Sequence, residues 1–289
     1  MAGARTPVGR MLGALSGHAA PSLGAVAIRA ALACAGLSGE AVDPVILSNV
    51  VQAGVGANPA RQAAVAAGVP MTVPATTINK LCLSGIASIA QAVQLINLGY
   101  HDVVVAGGME PMANAPYLLP DARRGSRYGD AAVEDSLNWD ALVCAFDHVP
   151  MGAATERYQA GMVISREEQD DFAAESHARA ASASKAGRFA DEIVPVAVRG
   201  KRGDVTVDQD EGVWPEATSQ SLARLRPAFS DDGTITAGSA SQLSSGACAV
   251  IIINKTCAQQ RNLDWIAEFG PYGTVAGPDP SLLKQPARH

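Results

Sequence analysis

No stretch of this chain approaches the roughly 20 uncharged apolar residues of a membrane span, so no membrane is expected as a partner. The opening Met-Ala-Gly-Ala-Arg-Thr-Pro carries no signal-peptide apolar core. Basic charge is scarce: 22 Lys and Arg stand against 28 Asp and Glu, a net charge of −6, which argues against a general nucleic-acid binder. The one basic cluster, Arg199-Gly-Lys-Arg202, runs into Asp204, Asp208, Asp210 and Glu211 and reads as a solvated turn. Five cysteines (Cys34, Cys82, Cys144, Cys248, Cys257) form no CxxC pair and no Cys/His ligand spacing. They suit a reducing cytoplasm, with neither a disulfide framework nor a metal site. No Gly-x-Gly-x-x-Gly opens a helix, which disfavours a dinucleotide oxidoreductase.

What is present is a chain of 289 residues, 48% hydrophobic, rich in Ala and Gly and with only 4% aromatics. It can bury a sizeable core as one large domain or two. Helix and strand signals alternate at first. Ala20-Pro-Ser22 starts a helix reaching Gly36, and Val45 to Val51 reads as a buried strand. Asn58 caps a short helix with Pro59 at its first position and Gly68 at its end. Ala75 to Leu81 is the next strand, a helix runs from about Cys82 to Asn97, and Asp102 to Ala106 is a further buried strand ending in Gly107-Gly108. This order implies a mostly parallel sheet covered on both faces. Residues 112–235 carry more charge and less strand signal, with a capping box at Ser165-Arg-Glu-Glu168, and read as a largely helical insertion. Ala247 to Ile253 returns as a buried strand, and Asp264 to Ala276 is expected to be a long strand beginning a further unit.

Cys82 stands where the β-branched run gives way to a helical stripe of Ile86, Ile89, Ala90, Val93 and Ile96, which is expected to bury one side. That places the thiol in the first turn, where free N–H groups and the helix dipole favour a thiolate. Ser84 and Gly85 keep the turn small, and ligands of open α/β sheets bind outside the carboxyl ends of strands. The local pattern leaves two readings open: an acyl-accepting nucleophile, or the small buried hydrophobe that a free cysteine usually is.

The segment Asn79-Lys-Leu-Cys82-Leu-Ser-Gly85, followed by Val105-Ala-Gly-Gly-Met-Glu-Pro-Met-Ala-Asn-Ala-Pro-Tyr-Leu118, resembles the thiolase family. Gly3-Ala-Arg-Thr-Pro7, Asn58-Pro-Ala-Arg-Gln62, Met151-Gly152, Ser165 to Gln169, Gly187-Arg-Phe189, Glu192-Ile-Val-Pro195, Leu225-Arg-Pro-Ala-Phe229 and Thr236-Ala-Gly238 match in the same order. The resemblance implies an α/β fold with a mixed, mostly parallel five-stranded sheet between helices and a loop-domain insertion. It implies an N-terminal half-domain over 1–111 and 236–263, a CoA-binding loop domain over 112–235, and the start of a C-terminal half over 264–289. Cys82 corresponds to the family's acyl-accepting nucleophile. Leu142 and Met151 match positions lining the pantetheine channel, Arg226 an arginine at the nucleotide end of coenzyme A, and Ser241 a serine near the pantetheine amides. Pro150 stands where some members carry a histidine.

The implied activity is acyl transfer between acyl-CoA thioesters, as in an acetyl-CoA C-acyltransferase, in a cytoplasmic homodimer or homotetramer. CoA thioesters are then the substrates and no further cofactor is expected. The family's second half supplies an Asn-Glu-Ala-Phe segment, a Gly-His-Pro histidine and a Cys-x-Gly cysteine, and none of them is expected here in its role. The apolar strand that precedes Ala-Gly-Ala-Arg-Thr-Pro in the family, central in its sheet, is mostly missing as well. The resemblance thus leads to the expectation of a chain truncated at both ends with little turnover alone. The competing reading is a non-catalytic CoA-binding or scaffold protein. A ketoacyl synthase, also built on a helix-N-terminal cysteine, fits the flanking residues less well.

Overall fold

Val103-Val-Val-Ala106 is apolar at every position because both of its faces are covered: all four residues are buried. In the computed structural model, which describes residues 2–125, 128–159, 161–200, 203–281, 283 and 285–286, this segment lies inside a sheet. The strands are β1 (Ala2–Arg5), β2 (Gly9–Arg10), β3 (Val45–Ser48), β4 (Ala75–Ile78) and β5 (Val103–Pro111), then a two-residue pair β6 (Tyr117–Leu118) and β7 (Glu134–Asp135). A hairpin of β8 (Val196–Gly200) and β9 (Gly203–Val207) and the long β10 (Ser244–Ile253) complete the set. The main order is β1-β10-β5-β3-β4, with β2 pairing β10 as a short sixth member. β3 pairs in parallel with β4 and β5, while β10 is antiparallel to both β5 and β1. Four of the five long strands therefore share one direction, as the expected mixed, mostly parallel sheet requires.

Successive residues of each strand serve opposite faces. Val45, Leu47, Val103, Val105, Ala249 and Ile251 join one core cluster, packed by helices α1 (Ala20–Cys34) and α2 (Pro59–Ala66). Ile46, Val104, Ala106 and Ile252 face the other way, against helix α3 (Ser84–Asn97). Helix α2 starts as its sequence implies: Asn58 Oδ1 accepts the Arg61 N–H, Pro59 follows, and Gly68 terminates the turn at φ 95°.

Two expectations need correction. β1 lies at the sheet edge rather than at its centre, and backbone bonds of 2.8 Å between Arg5 and Glu192 and between Arg5 and Val194 cover its outer side. Asp264 to Ala276 forms no strand among the described residues, because no ladder partner lies beside it. The chain divides into two compact units: 1–137, 190–211 and 243–270 form the first, and 138–189, 212–242 and 271–289 the second. Segments 112–137 and 190–211 fall in the first unit, with the sheet. The reason is burial and charge: Val196 is in the sheet's core cluster, and Asp210 binds the Arg5 guanidinium at 2.7 Å.

The second unit carries helices α4 (Met151–Gln159), α5 (Arg166–Lys185) and α6 (Ser219–Leu222). The Ser165 capping box opens α5 with both reciprocal bonds formed. Arg166 ties α5 to α6 by donating to the Leu222 and Leu225 carbonyls while pairing with buried Asp170. Of the basic cluster expected to form a solvated turn, Lys201 and Arg202 lie outside the described residues. No described helix is long and apolar enough to cross a membrane.

Candidate active site

Strand β4 ends at Ile78, and the chain then makes a tight turn before α3 begins at Ser84. Two side chains build that turn. Asn79 Oδ1 accepts the Leu81 N–H at 2.9 Å, and Ser84 Oγ accepts the Lys80 N–H and donates to the Leu81 carbonyl, both at 2.6 Å. Between them Leu81 adopts φ 50°, a left-handed conformation that costs a non-glycine residue about 1–2 kcal/mol. Cys82 follows and is exposed. It stands two residues ahead of α3 rather than in its first turn, because Leu81 and Leu83 complete the turn first. Leu83 is the N-cap residue and provides no side-chain cap. A Cβ added at Gly85 would meet open space.

The face that α3 buries keeps most of the expected stripe: Ala90 and Ile96 are buried, Ile89 and Val93 pack against the core, and Ile86 alone turns away. Ser84, Ser88, Ala92 and Ile96, spaced by four, turn inward, while Ile86 is 65% exposed. The cause lies across the interface. The sheet offers Gly107 there, and buried Ser88 Oγ accepts the Gly107 N–H at 3.0 Å and lies 2.7 Å from the Gly85 carbonyl. A serine satisfies a backbone group that isoleucine would leave unpaired. Gly107 and Gly108 themselves admit close neighbours: a Cβ at Gly107 would lie 2.1 Å from the Cys248 carbonyl oxygen, and one at Gly108 2.3 Å from Ser48 Oγ.

Beside the turn, at the carboxyl ends of β3 and β5, Glu110 Oε2 accepts the Val50 and Val51 N–H groups at 2.7 and 3.3 Å. Its Oε1 accepts the amide of fully buried Asn49 at 2.9 Å. Burial pushes the Glu110 carboxyl above the ordinary range, against these three bonds. Neither Asn49 nor Glu110 was singled out from the sequence. A polar pair at the ends of adjacent strands looks like an ordinary loop until the register is known.

Among the other thiols, Cys34 and Cys248 are exposed and Cys144 and Cys257 partly so. Cys34-Ala-Gly36 has the Cys-x-Gly spelling, but it ends α1, with Gly36 at φ 65° terminating the helix. Cys248 has exposed surface as a residue. Burial nonetheless pushes its thiol up, opposed by the Gly108 N–H and the Arg5 charge.

Cys82 belongs to the first unit and Leu142, Met151, Arg226 and Ser241 to the second. Leu142 and Met151, both half-buried, flank the antiparallel bridge between Val143 and Pro150. Arg226 is exposed beside the bridge from Pro227 to Thr236. Ser241 lines a cavity of about 690 Å³ with Gln169, Phe172, His177 and Ser239. No cluster of His, Cys, Asp or Glu able to hold a metal occurs among the described residues.

The model of the thiolase N-terminal domain matches residues 1–256. A probable acetyl-CoA acetyltransferase of Mycolicibacterium smegmatis is 53% identical over 288 residues, 99% of this chain and 74% of that protein. A protein of the same name from Mycobacterium tuberculosis is 51% identical over 288 residues, 99% of this chain and 73% of its own length. The acetyl-CoA acetyltransferase of Chromobacterium violaceum is 44% identical over 284 residues, 98% of this chain and 72% of that protein. With its sheet, its two helical layers and its cysteine at the turn into α3, this chain belongs to the thiolase family.

Proposed function

We propose that Cys82 is the acyl acceptor in a thiolase-type transfer between coenzyme A thioesters. The observation that supports it is an exposed thiol held at the mouth of an uncapped helix, at the carboxyl end of the parallel strands. In the thiolysis direction the Cys82 thiolate attacks the 3-keto carbon of a 3-ketoacyl-CoA. The C2–C3 bond breaks, the departing acetyl-CoA carbanion takes a proton, and the acyl group stays on sulfur as a thioester. The thiol of a second coenzyme A then attacks that thioester, and Cys82 leaves as thiolate. The chemistry uses the reactivity of the thioester itself and calls for no prosthetic group. It requires Cys82 as a free thiol, so a reducing compartment such as the cytoplasm is part of the proposal.

Coenzyme A is assigned to Leu142 and Met151 along the pantetheine arm, Ser241 near its amides, and Arg226 at the nucleotide end. An exposed guanidinium suits a phosphate, and the Ser241 cavity is lined by side chains that can both pack and hydrogen-bond. Assembly as a homodimer or homotetramer is proposed as well. Among the described residues strand β4 pairs with β3 alone, beside the Asn58 to Gln62 segment.

These 289 residues contain no Gly-His-Pro histidine and no Asn-Glu-Ala-Phe segment, which keeps the second reading, CoA binding without turnover, in view. A positioned base contributes roughly 10²–10⁴-fold and an oxyanion donor ~10²–10³-fold. Acetoacetyl-CoA thiolysis by this polypeptide should therefore fall about four to seven orders of magnitude below an ordinary enzyme. Turnover within about tenfold of a common kcat, lost in Cys82→Ala, would show that the needed groups are present and misidentified here.

A further inference from the structure

The molecule holds a half-buried carboxylate, Glu110, that the reaction above does not use. Glu110 and Asn49 form a polar pair in the apolar ends of β5 and β3, and both are costly to keep. Asn49 is 1% exposed, and its Oδ1 has no partner among the described residues. Burial raises the Glu110 carboxyl even with three donors on it. Sheet ends do not need such a pair for packing, since apolar residues of the same shape would serve at less cost.

The hydrogen bonds lead from this pair in one direction. Glu110 fixes the amides of Val50 and Val51 and the side chain of Asn49. The Asn49 N–H in turn donates to the Ile78 carbonyl at 3.2 Å, at the end of β4. The Val50 carbonyl accepts the Asn79 side-chain amide at 3.4 Å, the longest link in the series. The other end of that side chain, Oδ1, takes the Leu81 N–H and holds Leu81 in its left-handed conformation immediately before Cys82. We propose that Glu110 is a positioning residue for Cys82, acting through the 49–51 loop and Asn79 to set the thiol at the entrance of α3. Released from these bonds, Leu81 relaxes to a right-handed or extended conformation, and the sulfur swings away from the helix amides.

The chemistry makes the substitution informative. Glu110 accepts hydrogen bonds at both oxygens, whereas glutamine accepts at one and donates at the other. Glu110→Gln therefore sets an NH₂ group against either the Val50 N–H or the Asn49 amide, in almost the same volume. This inference rests on the reading of Cys82 as the reactive thiol, and the experiment separates the two. The rate of iodoacetamide alkylation at Cys82 is measured by peptide mapping across a pH series, with exposed Cys34 as internal standard and far-UV circular dichroism as the check on folding. Glu110→Gln and Asn79→Ala are each expected to shift the Cys82 profile and slow its alkylation roughly fivefold, the weight of about one hydrogen bond. Cys34 should be unchanged, and the double variant should be no slower than the stronger single one. A Cys82 profile unchanged in a folded Glu110→Gln overturns the proposal, because a merely structural carboxylate would lower the melting temperature alone. If Glu110→Gln does not fold, an unchanged profile in Asn79→Ala, whose side chain lies at the exposed end of the series, overturns it equally. Alkylation reports the placement of the thiol whether or not it accepts an acyl group. Failure of acetyl-CoA to label wild-type Cys82 would count against the acyl-acceptor reading alone.

Discussion

Replacing Gly107 by alanine tests how closely the site depends on the sheet beneath it. The added methyl would sit 2.1 Å from the Cys248 carbonyl oxygen and 2.9 Å from Ala249 Cα. Ordinary carbon–oxygen contacts begin at about 3.3 Å, so β10 and β5 must separate by roughly 1 Å. Both obstacles are backbone, and no side-chain rotation relieves them. Overpacking of this kind costs about 1–3 kcal/mol. The movement also disturbs the pairing of Gly107 with Ala249 and the Ser88–Gly107 bond, each worth about 1 kcal/mol. The sum is about 3–5 kcal/mol, which for a chain of this size corresponds to a fall in melting temperature on the order of 10 °C. Because Ser88 docks α3 on Gly107, the Cys82 turn should also loosen, visible as a changed alkylation rate at that thiol. Thermal unfolding followed by circular dichroism is the assay. A Gly107→Ala protein that melts within about 2 °C of the wild type would refute the packing argument.

Two further predictions concern the elements that frame the site. Asn58 caps α2 from a left-handed backbone, with φ 45°, and its side chain also binds the Ala75 carbonyl and the Thr77 hydroxyl. Asn58→Ala should cost about 1–2 kcal/mol by denaturant titration, and Asn58→Gly, free of the backbone penalty, distinctly less. Asp210 is pushed up by burial, but its bonds to Arg5 and to the Val8 N–H outweigh that and leave it below the ordinary carboxylate range. A depressed native value stabilises the fold above the unfolded-state pKa, and the contribution is lost as pH falls through the native one. Unfolding titrations should therefore lose stability below about pH 4, and Asp210→Asn should remove that part of the pH dependence.

Much of this arrangement is legible in the residues themselves. Val103 to Ala106 announces a strand covered on both sides, Asn58-Pro59 and Ser165 to Glu168 announce helix starts, and each forms where the sequence places it. On α3 the expected stripe fails at Ile86 alone, because hydrophobicity ranks that residue above Ser88. The serine wins through a backbone group 19 positions away, which no local pattern reveals. The strand expected at Asp264 to Ala276 failed for a related reason, since a strand exists only where a neighbour offers a ladder. Cys82 was readable by its neighbours in sequence, yet its support was not. Glu110 lies 28 positions beyond Cys82, and only the pairing of β3 with β5 brings it beside the loop that holds Asn79.

The most direct measurement is acyl transfer to the protein itself. The chain is incubated with acetyl-CoA near neutral pH, free coenzyme A is removed, and all five cysteine-bearing peptides are mapped by mass spectrometry. The account predicts one acetyl group, on Cys82, discharged by added coenzyme A and absent in Cys82→Ala. Acetylation spread equally over Cys34, Cys82 and Cys248, or an adduct that coenzyme A cannot discharge, would contradict the assignment of Cys82 as the acyl acceptor.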